Sequence, residues 1–246
     1  MEEYNIGPKE SRATVSSTGG IATRFAVEGR NVFYPWRMIG NKSRGGCPIC
    51  APWFGSSPRG LKKHGFLRDM ESEAGSIGRN EVKFSFRHGQ MQGYPWSMRY
   101  ETGAKVSEDG VLTMSLGIRR LDDGIDGKAS VLPGFHPYLE GDSSEAEVYV
   151  GSKEFKGFAE ESRMIPLTNR LITIVIPGPS ERIIKMELGG DFFRYGQPQM
   201  VFWSDSPREY FCVEPILYAK DLFDTPKGYG LEKNQEMNLS VSFKVI

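Results

Sequence analysis

Three histidines and one oddly placed glutamate are the residues of this chain best suited to moving protons near neutral pH. His136 stands in Pro133-Gly134-Phe135-His136-Pro137-Tyr138, where the following proline drives it toward extended backbone and the flanking rings can shield its imidazole. Two readings fit: a general acid or base, or a hydrogen-bonded histidine closing a strand end. Glu214 lies inside the apolar run Phe211-Cys212-Val213-Glu214-Pro215-Ile216. Burying a carboxylate there is costly without a partner, and the usual result is a raised pKa suited to a general base. Strand alternation leaves a second reading, a strand-edge glutamate facing water. His64, in Lys63-His64-Gly65-Phe66-Leu67-Arg68-Asp69, precedes a glycine that permits close backbone approach and has a cation four residues on. His88, in Phe86-Arg87-His88-Gly89, lacks such a setting and reads as a surface turn residue.

Cys47-Pro48-Ile49-Cys50 has the C-x-x-C spacing shared by zinc knuckles and redox centres. A structural zinc site wants four ligands, and Cys212 with three histidines offers no second paired cluster. The expectation is neither a metal nor redox chemistry at this pair. Phosphate-cradling G-x-x-x-x-G-K loops, G-x-S-x-G elbows and H-E-x-x-H pairs are missing, which removes support for nucleotide cofactors and serine hydrolysis.

The elements that must position these residues read as strands. Met237, Leu239, Val241, Phe243 and Val245 alternate with polar residues, as in a half-buried strand. Leu112, Met114, Leu116 and Ile118 share one face after the turn signal Glu108-Asp109-Gly110, and Val82 to Phe86 repeats the pattern. Apolar runs at 171–176 and 183–188 flank Pro177-Gly178-Pro179, which must turn, so they read as neighbouring strands. No convincing 3.6-residue apolar stripe occurs, and 29 Gly with 15 Pro punctuate the chain. Stacked antiparallel sheets in an all-β fold follow. The loop material between Gly40 and Gly60 mixes glycine, proline and aromatic residues, a composition suited to a site on a β scaffold.

The 246 residues, 39% hydrophobic, can bury a sizeable core, and no linker or repeat divides them, so one domain over 1–246 is expected. Lys plus Arg and Asp plus Glu each count 31, so no net field draws polyanions or membrane surfaces. Nucleic acid and membrane are not expected partners. Met1-Glu2-Glu3-Tyr4 lacks the features of a signal peptide, and three cysteines are too few and too odd for a disulfide framework. A cytoplasmic location with reduced thiols is the expectation, with a monomer compatible and the oligomeric state open.

Taken in order, Arg44-Gly45-Gly46-x-Pro48-Ile49-x-x-Pro52-Trp53-Phe54-Gly55, His64-Gly65-Phe66-x-Arg68, Phe135-His136-Pro137-Tyr138 and Cys212-Val213-Glu214-Pro215 resemble the aldose 1-epimerase family. The branch they are most similar to is the glucose-6-phosphate 1-epimerase, or hexose-6-phosphate mutarotase, group, whose members show this arginine-glycine-glycine loop and an arginine after the first histidine. The resemblance runs from about Gly19 to the C-terminal strand. It implies a large antiparallel β-sandwich of the galactose mutarotase type with a carbohydrate cleft, and neither metal nor organic cofactor. It places the family's acid on His136 and its base on Glu214. Mutarotation removes a proton from the anomeric hydroxyl while another reaches the ring oxygen, a task one carboxyl and one imidazole can share.

The resemblance further implies that His64 binds a sugar hydroxyl and that Arg44 and Arg68 clamp a 6-phosphate, with Lys63 adding charge beside them. Trp53 and Trp203 are the implied stacking surfaces. Two departures stand out: Lys63 occupies a position that is often glutamine in this branch, and the acidic sugar-binding residue expected after the F-H-P-Y motif has no secure match, with Glu160 or Glu161 as candidates. A small-molecule sugar or sugar phosphate is the expected partner. The competing expectation is a carbohydrate-binding protein that does no catalysis.

Overall fold

The computed structural model describes residues 2–56, 60–158, 162–178, 181–194, 198–218 and 230–246. Among these residues the regular structure is strand, apart from the short 3-10 turns Leu67–Asp69 and Asp191–Phe193. No helix among them is long and apolar enough to cross a membrane.

A nine-stranded antiparallel sheet runs in the spatial order Lys153–Lys156, Glu147–Val150, Leu171–Ile176, Arg182–Gly190, Glu236–Val245, Leu112–Arg120, Met98–Val106, Glu81–His88 and Ala74–Ile77. Period-two alternation decides what each strand buries. Leu112, Met114, Leu116 and Ile118 face inward beside Met237, Leu239, Val241 and Phe243, while Thr113, Ser115, Asn238 and Ser240 point outward. The expected hairpin around Gly110 joins Met98–Val106 to Leu112–Arg120, and the runs at 171–176 and 183–188 pair as neighbours.

A second, six-stranded sheet carries Arg163–Pro166, Gln199–Trp203 and Tyr210–Ile216 side by side. The short strands Gly134–Phe135 and Tyr138–Glu140 both lie along the other edge of Tyr210–Ile216, with Ile49–Cys50 beyond the former. The two sheets share one core. Phe155 stacks on Phe202 at 5.4 Å between ring centroids, and Phe158 on Phe211 at 5.3 Å. Each such ring removed from water contributes roughly 1.5–3 kcal/mol before the entropy of ordering is counted. A four-stranded sheet over residues 3–31 and the two-stranded pairings of Arg37–Ile39 with Lys42–Arg44 and of Ala129–Ser130 with Gly230–Leu231 complete the described architecture, so the expected all-β fold of antiparallel sheets is what the chain adopts.

His88 corrects its sequence reading. It is buried as the last residue of Glu81–His88, with Nδ1 2.7 Å from the Gly89 carbonyl, to which it donates, and Nε2 2.8 Å from the Tyr100 hydroxyl. The inward alternation of Val82, Phe84 and Phe86 continues through it, so the strand outlasts its apolar residues by one inward position.

Candidate active site

The antiparallel register brings His136 and Glu214 together. Gly134 pairs with Ile216 and Tyr138 with Cys212 across the same two lines of chain, so His136, midway, falls opposite Glu214. Pro137 has no N–H to give and interrupts the ladder there. The opposite edge holds instead: the N–H groups of His136 and Tyr138 donate to the carbonyls of Pro48 and Gly46, both at 2.9 Å. The Arg44-to-Gly55 loop is thus bonded directly to the segment that carries His136.

Alternation then sorts the side chains of this sheet. Phe135, Phe202, Phe211 and Val213 enter the main core, whereas Tyr138, Cys212 and Trp203 occupy the other face in a separate cluster with Tyr34 and Tyr210. His136 and Glu214 belong to that second face. Both are buried, at 7% and 2% exposure, which decides against the water-facing reading of Glu214. Tyr138 lies flat on the His136 ring at 4.7 Å with 4° between planes, and Phe54, His64 and Trp203 surround the imidazole at 5.6, 5.4 and 6.1 Å.

Nδ1 of His136 stands 3.3 Å from Oε1 of Glu214. Burial pushes the Glu214 carboxyl well above the usual carboxylate range, although the Lys63 charge and a hydrogen bond from the Cys212 thiol oppose the shift. Burial also pushes the imidazole of His136 well below its ordinary value, aided by His64, Arg68 and Lys63. Burial thus disfavours charge on both groups; a protonated carboxyl beside a neutral imidazole and a carboxylate beside an imidazolium hold the same number of protons.

His64 is held by reciprocal bonds. Its N–H donates to the Gly55 carbonyl at 2.8 Å, and its Nδ1 accepts from the Gly55 N–H at 3.1 Å. That acceptor role fixes the neutral tautomer with the proton on Nε2. Burial, followed by the charges of Arg68, Lys63 and Arg44, pushes its pKa down to about 3, which keeps it a neutral donor. The backbone at His64 has a φ of 67°, and at Gly65 a side chain would strike the Ala51 carbonyl, so the glycine permits the contact that seats the histidine.

The remaining sequence candidates separate. Arg44 donates from Nε to both oxygens of Asp205, at 3.0 and 3.2 Å, and from Nη2 to Oδ2, while its guanidinium lies over Trp203 at 5.3 Å. The Tyr210 hydroxyl donates to the same carboxylate. Burial alone would raise the Asp205 carboxyl, yet the bonds from Arg44 and Tyr210 hold it below its usual range. Asp205 escaped the sequence reading; its only signal was an acidic residue in the tight loop after Trp203. Arg68 is different, because its Nε is buried without a hydrogen-bond partner and stands 3.6 Å from Asp69. Lys63 is exposed, and its charge acts on His64, His136 and Glu214.

Trp53 is corrected from stacking surface to core residue. It is 1% exposed, donates from Nε1 to the Lys62 carbonyl at 3.1 Å, and packs on Phe66 and Tyr94. Trp203, half-buried and edge-on to His136, keeps its place by the pair. Glu160 and Glu161 lie outside the described residues. Cys47 and Cys50 are buried free thiols whose pKa burial pushes upward, so neither has thiolate character. Among the described residues, one donor set lies close enough to share an ion: His136, Cys212 and Glu214.

Two described grooves, about 470 and 480 Å³, lie elsewhere, over the outer face of the nine-stranded sheet and beside its Ala74–Ile77 edge. No histidine or cysteine lines either, so the acid–base geometry rather than groove size marks the candidate site.

Comparison with known proteins adds an independent line. A search of curated proteins by sequence finds no match. Among solved structures, the chain is similar to a galactose mutarotase related enzyme from Lactobacillus acidophilus, with a TM-score of 0.78, 12% identity, and coverage of 100% of this chain and 97% of that one. A galactose mutarotase-like protein from Lactobacillus casei ATCC 334 gives 0.76 and 12%, covering all of both chains. A galactose 1-epimerase from Lactobacillus acidophilus NCFM gives 0.73 and 11%, covering 99% and 94%. At such identities the likeness establishes the galactose mutarotase-like β-sandwich fold. The family model described as Aldose 1-epimerase matches residues 4–170, well over half of the sequence and including His64 and His136, and with it the chain belongs to the aldose 1-epimerase family.

Proposed function

We propose that the chain interconverts the α and β anomers of an aldohexose, and that the preferred substrate is a hexose 6-phosphate such as glucose 6-phosphate. The observation that carries the first part is the facing pair His136 and Glu214, 3.3 Å apart and both buried. Glu214 takes the proton of the anomeric hydroxyl while His136 protonates the ring oxygen. The C1–O5 bond breaks, the aldehyde forms, rotation about C1–C2 exposes its other face, and the roles reverse on closure. In the reactive form Glu214 is the carboxylate and His136 the imidazolium, so ring opening leaves a carboxyl beside a neutral imidazole and closure restores the starting form. His64 donates from Nε2–H to a sugar hydroxyl, and Trp203 offers a ring face to the pyranose.

Support for the phosphate comes from Arg68, whose buried Nε makes no hydrogen bond and meets Asp69 only at 3.6 Å, and from the nearby charge of Lys63. Arg44 contributes less than its motif suggests, because Asp205 already engages it. NMR exchange between anomers of glucose 6-phosphate, glucose and galactose tests both parts. The expected order is glucose 6-phosphate first, with Glu214→Gln and His136→Asn each slower by about 100- to 10,000-fold. Wild-type exchange in Glu214→Gln would remove Glu214 as the base, no exchange above the spontaneous rate in the wild type would leave a sugar-binding protein, and preference for either free sugar would remove the phosphate.

A further inference from the structure

We propose that His136, Cys212 and Glu214 form a binding site for a thiophilic divalent cation such as Zn²⁺, and that its occupation switches the proton-transferring pair off. A ring nitrogen, Sγ and a carboxylate oxygen from these residues all lie within 4.8 Å of one another. Backbone geometry builds the set: Cys212 and Glu214 are two apart on one strand and share a face, and His136 is opposite Glu214 on the next.

The distances suit the ion. Tetrahedral zinc with nitrogen and oxygen ligands at about 2.0–2.2 Å holds them roughly 3.4 Å apart, and the His136–Glu214 edge is already 3.3 Å. A sulfur ligand at about 2.3 Å requires the thiol to close in by roughly 1 Å at most, a side-chain adjustment. A second, independent observation marks the same spot. His136 is only 7% exposed and its Nδ1 has no hydrogen-bond partner, since its alignment on Glu214 is not that of a hydrogen bond. A metal ion satisfies that nitrogen.

Charge balance also favours occupation: a thiolate and a carboxylate ligand offset the two positive charges of the ion, so the occupied site is neutral. A nitrogen, sulfur and oxygen set selects zinc or cadmium over magnesium or calcium. The C-x-x-C pair that invited a metal by its spacing does not join such a set among the described residues, whereas the third cysteine does. Metal binding itself does not depend on the proposed reaction; only the inhibition rests on that reading.

Titration of the reduced full-length protein with Co²⁺ tests the site through the thiolate-to-cobalt charge-transfer absorption. One equivalent is expected to develop the band in the wild type and in Cys47→Ser and Cys50→Ser, and Zn²⁺ to bleach it. Changes in outer-shell partners already weaken metal sites about 10- to 100-fold, so Cys212→Ser, which removes a ligand, is expected to lose at least that. As a readout that tolerates a weakened fold, Zn²⁺ should raise the melting temperature of the wild type and not that of Cys212→Ser. A band or zinc-dependent stabilisation that survives Cys212→Ser, or neither effect in the wild type, would overturn the proposal. Zinc is expected to inhibit anomer exchange at the midpoint at which it displaces cobalt. Exchange that continues with the site filled overturns the switch, whereas a normal band in a protein without anomerase activity supports the site and refutes the proposed reaction.

Discussion

His136 and Glu214 face each other across an antiparallel register, with Nδ1 and Oε1 3.3 Å apart and both side chains out of water. Burial drives the two pKa values in opposite directions, each against the charged form, and that has measurable consequences for stability as well as for rate.

Glu214→Gln is expected to lose activity while keeping or gaining stability above neutral pH. The folded pKa of Glu214 is raised, so its stabilising contribution is present below the unfolded value of about 4.3 and is lost as pH rises through the folded value. Glutamine keeps the shape and removes that loss. Thermal melts at pH 8 and pH 4 check it: the variant should match or exceed the wild type at pH 8, and its advantage should shrink or reverse at pH 4. A fall of many degrees at pH 8 would mean that the carboxyl is a structural contact.

The histidines set the acid limit. His64 falls to about 3 and His136 and His88 also fall, so their contribution is present above the unfolded value of about 6.5 and is lost as pH drops toward 3. Urea midpoints should decline steadily below pH 6.5, and His64→Asn should flatten part of that slope. Asparagine tolerates the left-handed backbone at φ 67° and can still accept from the Gly55 N–H. His64→Ala leaves that donor unpaired in a strained backbone and should cost about 1–3 kcal/mol more than His64→Asn.

Asp205→Asn tests what Arg44 is for. The neutral amide loosens the guanidinium from its carboxylate partner and frees its charge for a phosphate. The ratio of kcat/KM for glucose 6-phosphate to that for glucose should rise. An unchanged ratio would assign Arg44 to holding Trp203 and the loop alone.

The two tryptophans should behave oppositely. Trp53→Ala empties a core position against Phe66 and Tyr94 and is expected to cost about 3–5 kcal/mol of stability. Trp203→Ala, at a half-buried ring beside His136, should raise KM with a much smaller change in melting temperature.

What the sequence made legible depended on how many faces of a strand meet water. Leu112–Arg120 and Glu236–Val245 have one wet face, so their alternation is visible in the residue types. Tyr210–Ile216 is buried on both faces, so its apolar run carries no period and the direction of Glu214 could not be read from it. The pairing of His136 with Glu214 belongs to register between distant segments, which motif order located and local pattern did not. Trp53 and Trp203 look alike as letters; only the packing around Phe66 and Tyr94 separates them. Asp205 had no motif, and its importance arises from the guanidinium that folds onto it.

The cross-strand pairing also ties chemistry to the order of folding. No local hairpin can bring His136 to Glu214, because Gly134–Phe135, Tyr138–Glu140 and Tyr210–Ile216 pair across a long intervening stretch of chain. Such nonlocal pairings close late, since loop entropy must be overcome before the contacts form. Recovery of anomer exchange during refolding should therefore lag the return of sheet signal from the locally paired strands 81–120, making activity a clock for the last sheet to assemble.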